Sequence, residues 1–213
     1  MALSNEQYKE LSIKEFTKAA NEYESEDAGY YNIPKQDYPD LIAEIEKEKF
    51  QTLLDAGCGT APLVSLIADK YPECHFYGID ITPKMIEIAN DKHIKNATFV
   101  VGDCENLPFE ENMFDVIVCS MSIHHYPCPQ DFFNSVYRCL KPNGRLILRD
   151  VTSASILIWL GNKLVAPIVH LFGYGDVRAY TCKNIKQYCK QAGLKIDVCE
   201  QRAKFRLHCV ARK

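Results

Sequence analysis

Two glycines one position apart, Gly57-Cys58-Gly59, stand between an apolar run, Phe50 to Leu54, closed by Asp55, and a second apolar pattern. That second pattern, Leu63, Val64, Leu66, Ile67 and Ala68, has helical spacing. A strand, a tight turn and a helix in that order bring backbone close to a ligand, because glycine has no Cβ and a helix start carries unpaired N–H groups. Two further acids end apolar runs downstream: Asp80 closes Tyr77-Gly78-Ile79, and Asp103 follows Val100-Val101-Gly102. A carboxylate accepts without donating, so Asp80 suits both hydroxyls of a ribose, with Ile81 offering apolar surface to a base. Asp103 suits the exocyclic amine of adenine. Either acid alone reads equally well as a cap or turn residue. Together with the glycine turn they read as a nucleoside site.

A dinucleotide site is the first rival. Its G-x-G-x-x-G/A pattern asks for Gly or Ala where Pro62 stands, which weakens the NAD reading without forbidding the fold. His124-His125 follow the fourth apolar run, hence the sheet edge where clefts form. One of them is a candidate general base near neutral pH, and the pair reads equally as packed loop residues. No further ligands stand at a spacing that would make the two histidines a metal site, so none is expected. Tyr23, Tyr30, Tyr31, Asp150, Arg178 and Tyr180 are the other polar candidates around a cleft.

The elements that must position these residues alternate. Strands are expected at Phe50–Asp55, His75–Asp80, Thr98–Gly102, Phe114–Ser120 and Arg145–Val151, and helices at Leu63–Lys70, Pro83–Lys92 and Asp131–Leu140. Pro62 and Pro83 preset φ for helix starts, and Thr82 can cap the second. Near-continuous apolar strands joined by helices imply a mainly parallel sheet covered on both faces. Lys141-Pro142-Asn143-Gly144 reads as a turn into the fifth strand. A helix at Asn184–Ala192 closed by Gly193 precedes Leu194–Gln201 and Lys204–Ala211, which a short turn makes antiparallel. Upstream, residues 5–24 form a loose helical pattern, 23–34 a tyrosine-rich connector, and a helix starts near Asp37-Tyr38-Pro39.

At 213 residues, 47% hydrophobic and 25% charged, the chain is long enough for one well-buried domain. A net charge of -3 gives no basic surface for nucleic acid. The ten cysteines contain no C-x-x-C pair, and the chain opens without a basic segment or apolar signal core. Reduced thiols and a cytoplasmic location are therefore expected. The long apolar stretch Ile156 to Phe172 is interrupted by Gly161-Asn162-Lys163 and Pro167, so it does not read as a membrane span.

Several linked motifs together resemble the class I S-adenosylmethionine-dependent methyltransferases, in the ubiquinone/menaquinone-biosynthesis-like type 11 branch. They are Leu54-Asp55-Ala56-Gly57-Cys58-Gly59-Thr60, Gly78-Ile79-Asp80, the run from Gly102 to Phe109, Phe114-Asp115-Val116-Ile117, His124-His125, and Leu140-Lys141-Pro142-Asn143-Gly144-Arg145-Leu146. The resemblance covers roughly residues 51–152, with Tyr180-Thr181 and Gln191-Ala192-Gly193-Leu194 similar as well. It implies a Rossmann-like, doubly wound α/β sheet of seven strands, mostly parallel with a C-terminal antiparallel hairpin. It implies one domain over 1–213: an N-terminal helical lid (1–49), a cofactor core (50–152), a substrate cap (153–180), and a closing helix and hairpin (181–213). S-adenosyl-L-methionine is the cofactor it implies. Gly57 and Gly59, with Asp55 behind them and Cys58 between, would shape the methionine half of its pocket. Asp80 would hold the ribose, Ile81 and Met85 flank adenine, Asp103 and the Cys104 backbone N–H bind its nitrogens, and the Ser120 carbonyl take the ammonium. Tyr23 belongs to the segment expected to close over the cofactor. Ala61-Pro62 departs from the pattern, where relatives commonly carry Gly after the Thr.

The expected activity is methyl transfer to a small, apolar or amphipathic acceptor by a monomer or homodimer without stable membrane insertion. A non-catalytic cofactor-binding regulator on the same fold and an NAD-dependent oxidoreductase are the alternatives. The acceptor pocket is expected beneath residues 156–172, which carry Trp159, Leu160, Leu164, Val165, Ile168, Val169, Leu171 and Phe172.

Overall fold

A computed structural model describes residues 3–25, 29–153, 155–165 and 175–213. The side chains of Tyr30, Tyr31, Trp159 and Val165, and the whole of Ile168, Val169, Leu171 and Phe172, lie outside that description. Helix α1 (Asn5–Ala19) opens on a reciprocal cap, in which the Gln7 N–H donates to Ser4 Oγ and the Ser4 N–H donates back to Gln7 Oε1. Helix α2 (Gly29–Ile45) follows. The core then alternates β1 (Thr52–Ala56), α3 (Pro62–Ile67), β2 (His75–Asp80), α4 (Pro83–Asp91), β3 (Ala97–Val101), β4 (Phe114–Ser120), α5 (Pro129–Cys139) and β5 (Leu140–Val151). A short α6 (Ser155–Leu160), α7 (Cys182–Ala192), β6 (Lys195–Arg202) and β7 (Arg206–Arg212) close the chain.

The strands form one sheet in the order β3-β2-β1-β4-β5-β7-β6. The first five pair in parallel, and β7 lies antiparallel between β5 and β6. Period-two alternation sends neighbouring side chains to opposite faces, and both faces are covered. Leu53, Val116, Val118 and Ile147 pack beneath α2, α3 and α4, while Leu54, Ile117, Cys119, Leu146 and Leu148 pack beneath α5 and α7. The strand order reverses between β1 and β4, which leaves a crevice at their C-terminal ends.

Three sequence expectations shift. Helix α2 begins at Gly29 and runs through Pro34 and Pro39, where a connector and a later start were expected. A proline inside a helix costs about 3 kcal/mol. The buried stripe Pro34, Asp37, Tyr38, Leu41, Glu44 and Ile45, at helical spacing, offsets it. Strand β5 absorbs the Lys141–Gly144 turn as an irregularity, with Asn143 at φ 65° and a register shift opposite Phe114 and Val116. Thr82 does precede α4, yet its side chain makes no capping bond. All ten cysteines are free thiols.

Candidate active site

The crevice is built from the ends of β1, β2 and β4, with α1 lying across it. A cleft of about 470 Å³ is lined by Gly57, Asp80, Ile81, Asp103, Cys104 and His125 among the residues expected from sequence. Lys9, Ser12 and Phe16 from α1, with Thr82, Glu105, Ser122, Tyr126 and Pro127, complete the lining.

Gly57 sits at φ 80° and directly abuts the β4 exit. A Cβ built on it would lie 2.0 Å from Ser122 Oγ, whose hydroxyl in turn meets Tyr126 Oη at 2.8 Å. The turn satisfies its own amides: the Gly57 and Cys58 N–H groups donate to the Ile79 carbonyl at 2.8 and 3.0 Å. The Gly59 N–H donates to Asp80 Oδ2 at 3.0 Å, and the Thr82 N–H donates to Asp80 Oδ1 at 2.8 Å. Asp80 thus ties β2 to the glycine turn and keeps further lone pairs for a ligand. Burial raises its carboxyl against the lowering pull of those two amides. Asp55, behind the turn, is pushed up to about 7 by burial and then by the charge of Asp80. A cationic ligand entering between them would favour both ionised forms.

Asp103 is already engaged. Lys9 of α1 places its ammonium 2.7 Å from both Asp103 and Glu105. Burial lowers the Lys9 ammonium, but bonds to the two carboxylates outweigh it and hold the group above its ordinary range. No local signature marks a lysine on a helix as half of such a latch, so sequence reading missed it. Burial pushes the Cys58 and Cys104 thiols up, which leaves both neutral and unreactive.

The remaining expected residues stand around the cleft without lining it. Met85 is buried on α4, and Cys58 packs into the core beneath the sheet face covered by α2–α4. The Tyr23 ring faces Gly59, 3.6 Å from where its Cβ would be, and meets Phe16 edge-on. Ser120 ends β4, and its Oγ is buried without a hydrogen-bond partner among the described residues. Thr60 donates to Glu24, which also pairs with Lys92 at 2.5 Å, so the segment after α1 is fastened to the turn.

The histidines separate in role. His124 Nδ1 lies 2.8 Å from Asp150 Oδ1, and its ring stacks obliquely on His125 at 4.1 Å. Burial lowers His124, yet the Asp150 charge and hydrogen bond outweigh it and raise the imidazole to about 9. Burial, then the neighbouring His124 charge, lowers His125 to about 4. Asp176, unremarked in the sequence, joins them: its Oδ1 is 3.6 Å from His124 Nε2 and 3.3 Å from His125 Nδ1. Arg178 is exposed, while Tyr180 is buried with its hydroxyl donating to the Tyr126 carbonyl.

Residues 54–148 match the type 11 methyltransferase family, described as a methyltransferase domain. Over those residues the chain is similar to the class I S-adenosylmethionine-dependent methyltransferases of the type 11 branch. It is similar to the demethylmenaquinone methyltransferase of Thermotoga maritima, 31% identical over 147 residues covering 66% of this chain and 62% of the relative. It is also similar to the malonyl-[acyl-carrier protein] O-methyltransferase of a Marinomonas species, 26% identical over 70% of this chain and 54% of that one. The match thus spans less than two thirds of either relative's length. Among solved structures, an S-adenosylmethionine-dependent methyltransferase from Aquifex aeolicus superposes with a TM-score of 0.66 at 18% identity, covering 94% of this chain and 98% of its own. The complex of the Haloferax volcanii Trm112 methyltransferase activator with a methyltransferase contains a chain with a TM-score of 0.76 at 17% identity, covering 93% and 97%. These superpositions establish the shared methyltransferase fold.

Proposed function

We propose that this chain transfers a methyl group from S-adenosylmethionine to a small, apolar or amphipathic acceptor. The observation that carries the reading is Asp80, held by the Gly59 and Thr82 amides at the lip of a cleft that Gly57 keeps open. The residues fit the cofactor's chemistry. Asp80 offers acceptors to a ribose diol, and the acidic pair Asp55 and Asp80 favours a cationic ligand. Ser120 Oγ, without a hydrogen-bond partner among the described residues, leaves polar capacity at the end of β4.

When bound, the cofactor supplies a methyl group already activated on a sulfonium. The chain's own task is then alignment and exclusion of water. Helix α1 performs the second through Lys9, Ser12 and Phe16, which roof the cleft, and its Lys9 must leave Asp103 if that acid is to take an amine. Phe16 packs edge-on against His125 at 5.0 Å, so roof and acceptor end are in contact. An apolar or amphipathic acceptor is supported by Leu157, Leu160 and Leu164, exposed along α6 and the turn after it. The names of the relatives, a demethylmenaquinone and a malonyl-carrier methyltransferase, support the same class.

Calorimetry with S-adenosylhomocysteine tests the reading. Asp80→Ala should weaken binding by about 1.5–3 kcal/mol through lost charge-assisted hydrogen bonds. Unchanged affinity would overturn the ribose assignment, and tight NAD binding without S-adenosylhomocysteine binding would overturn the cofactor. S-adenosylhomocysteine release over a panel of quinol, phenol and acyl acceptors then tests turnover, and no release with any of them would favour a binding protein.

A further inference from the structure

We propose that His124 Nε2, His125 Nδ1 and Asp176 Oδ1 form a binding site for one divalent transition-metal ion of the Zn²⁺ class. The site does not depend on the methyl-transfer reading. The three ligand atoms lie within 4.8 Å of one another. Two of the edges, 3.6 and 3.3 Å, suit ligands around one ion. Bonds of about 2.0–2.2 Å in a tetrahedron place neighbouring ligand atoms roughly 3.3–3.5 Å apart. Two imidazoles and one carboxylate are a familiar donor set for a borderline-soft ion with an open fourth position.

The surroundings of the cluster bring its three donor groups together. His125 Nδ1 is buried, makes no hydrogen bond among the described residues and lies 3.3 Å from a carboxylate oxygen of Asp176. An ion between this nitrogen and the carboxylate would be held by both. His124 is oriented as metal-bound imidazoles usually are, with Nδ1 tied to a buried carboxylate, Asp150 at 2.8 Å, and Nε2 directed toward Asp176. The Asp176 segment is held in place from both sides. Val177 and Arg178 N–H groups donate to the His124 carbonyl at 2.8 and 3.2 Å. Gly175 N–H donates to Glu15 Oε2 at 2.7 Å, and the glycine packs so close to Ser12 that a Cβ would meet its Oγ at 2.3 Å. Glu15 adds a further negative charge beside His124.

Because His125 also lines the cleft, an ion here would border the acceptor space, and its open position could take water or an acceptor oxygen. It would also occupy the lone pairs that a general base needs, so metal ligation and proton abstraction exclude each other at these nitrogens.

Titration of the reduced, chelator-treated full chain with Co²⁺ and with Zn²⁺ tests the site. One ion per chain should bind, and the Co²⁺ form should show visible d–d bands without thiolate-to-metal charge transfer. Asp176→Ala and His125→Phe should each weaken binding at least tenfold, and Asp150→Asn by 10- to 100-fold, as for other outer carboxylates. Asp176 is half exposed in its side chain, so its variant should melt like the parent in chelator, which separates lost ligation from lost fold. Binding of neither ion, unchanged affinity in Asp176→Ala, or a thiolate charge-transfer band, which would assign the ion to the cysteines, would each overturn the proposal.

Discussion

Gly57 and Gly59 look alike in the sequence and differ in what surrounds them. Both have positive φ, 80° and 54°, so an alanine at either meets the left-handed penalty of roughly 1–2 kcal/mol. At Gly59 the nearest atom to a new Cβ is a Tyr23 ring carbon at 3.6 Å, ordinary contact. At Gly57 the new Cβ would fall 2.0 Å from Ser122 Oγ and 2.5 Å from its Cβ, so the β4 exit itself must move. Urea unfolding should therefore show Gly57→Ala clearly less stable than Gly59→Ala, with a drop beyond the backbone cost. Equal midpoints and slopes would mean that Ser122 yields freely. The glycine spacing, Asp80 and the strand-end position of Asp103 were legible because turn chemistry and strand periodicity are local. Ser122, Tyr126, Lys9 and Asp176 were not, since each reaches the site from an element distant in the chain. Met85 is placed on α4 as expected, but the helix turns it into the interior.

At the scale of elements, α2 shows why helix docking can escape a sequence reading. Several of its charges are buried against β5 and β7. Asp37 accepts from Arg206 Nε at 2.9 Å and lies 3.9 Å from Arg149, which also reaches Asp40 at 3.4 Å. Arg145 donates to the Ile45 carbonyl at 2.6 Å, and it and Arg149 are among the most deeply buried side chains. Isolated charges of this kind are unfavourable in the interior; placed opposite one another they fix which face of α2 meets which strands. The sequence marked a helix start near Asp37-Tyr38-Pro39, but nothing local pairs an aspartate with an arginine 169 positions away. Removing the carboxylate leaves two guanidinium groups in a dry interface without it. Asp37→Ala should therefore cost about 3 kcal/mol in chemical denaturation. A loss under about 0.5 kcal/mol would show the interface to be hydrated and the pair no stronger than a surface bridge.

For the molecule as a whole, the same interface sets a pH dependence. His208 on β7 is fully buried under α2, with Glu44 at 3.5 Å and neither ring nitrogen hydrogen-bonded among the described residues. Burial first, then the positive charges of Arg202 and Arg149, lowers its imidazole from 6.5 to about 4, against the opposing pull of Glu44. The unfolded chain therefore binds a proton below 6.5 that the folded chain refuses until about 4. The contribution of a neutral His208 is complete above pH 6.5 and is lost as pH falls through that window. Its size is on the order of 3 kcal/mol. Asp55 acts with the opposite sign. Its folded value, raised from 3.8 to about 7, gives a contribution present at low pH and lost as pH rises through that range. The two slopes overlap and partly cancel, so the parent curve alone cannot separate them. His208→Asn removes one slope and leaves the other. As the pH falls from 7.5 to 4 the parent's urea midpoint should drop relative to the variant's, whatever the variant costs at neutral pH. Curves that stay parallel across that range would show that His208 takes up its proton alike in the folded and unfolded chain, and that its burial beneath α2 is not felt as pH.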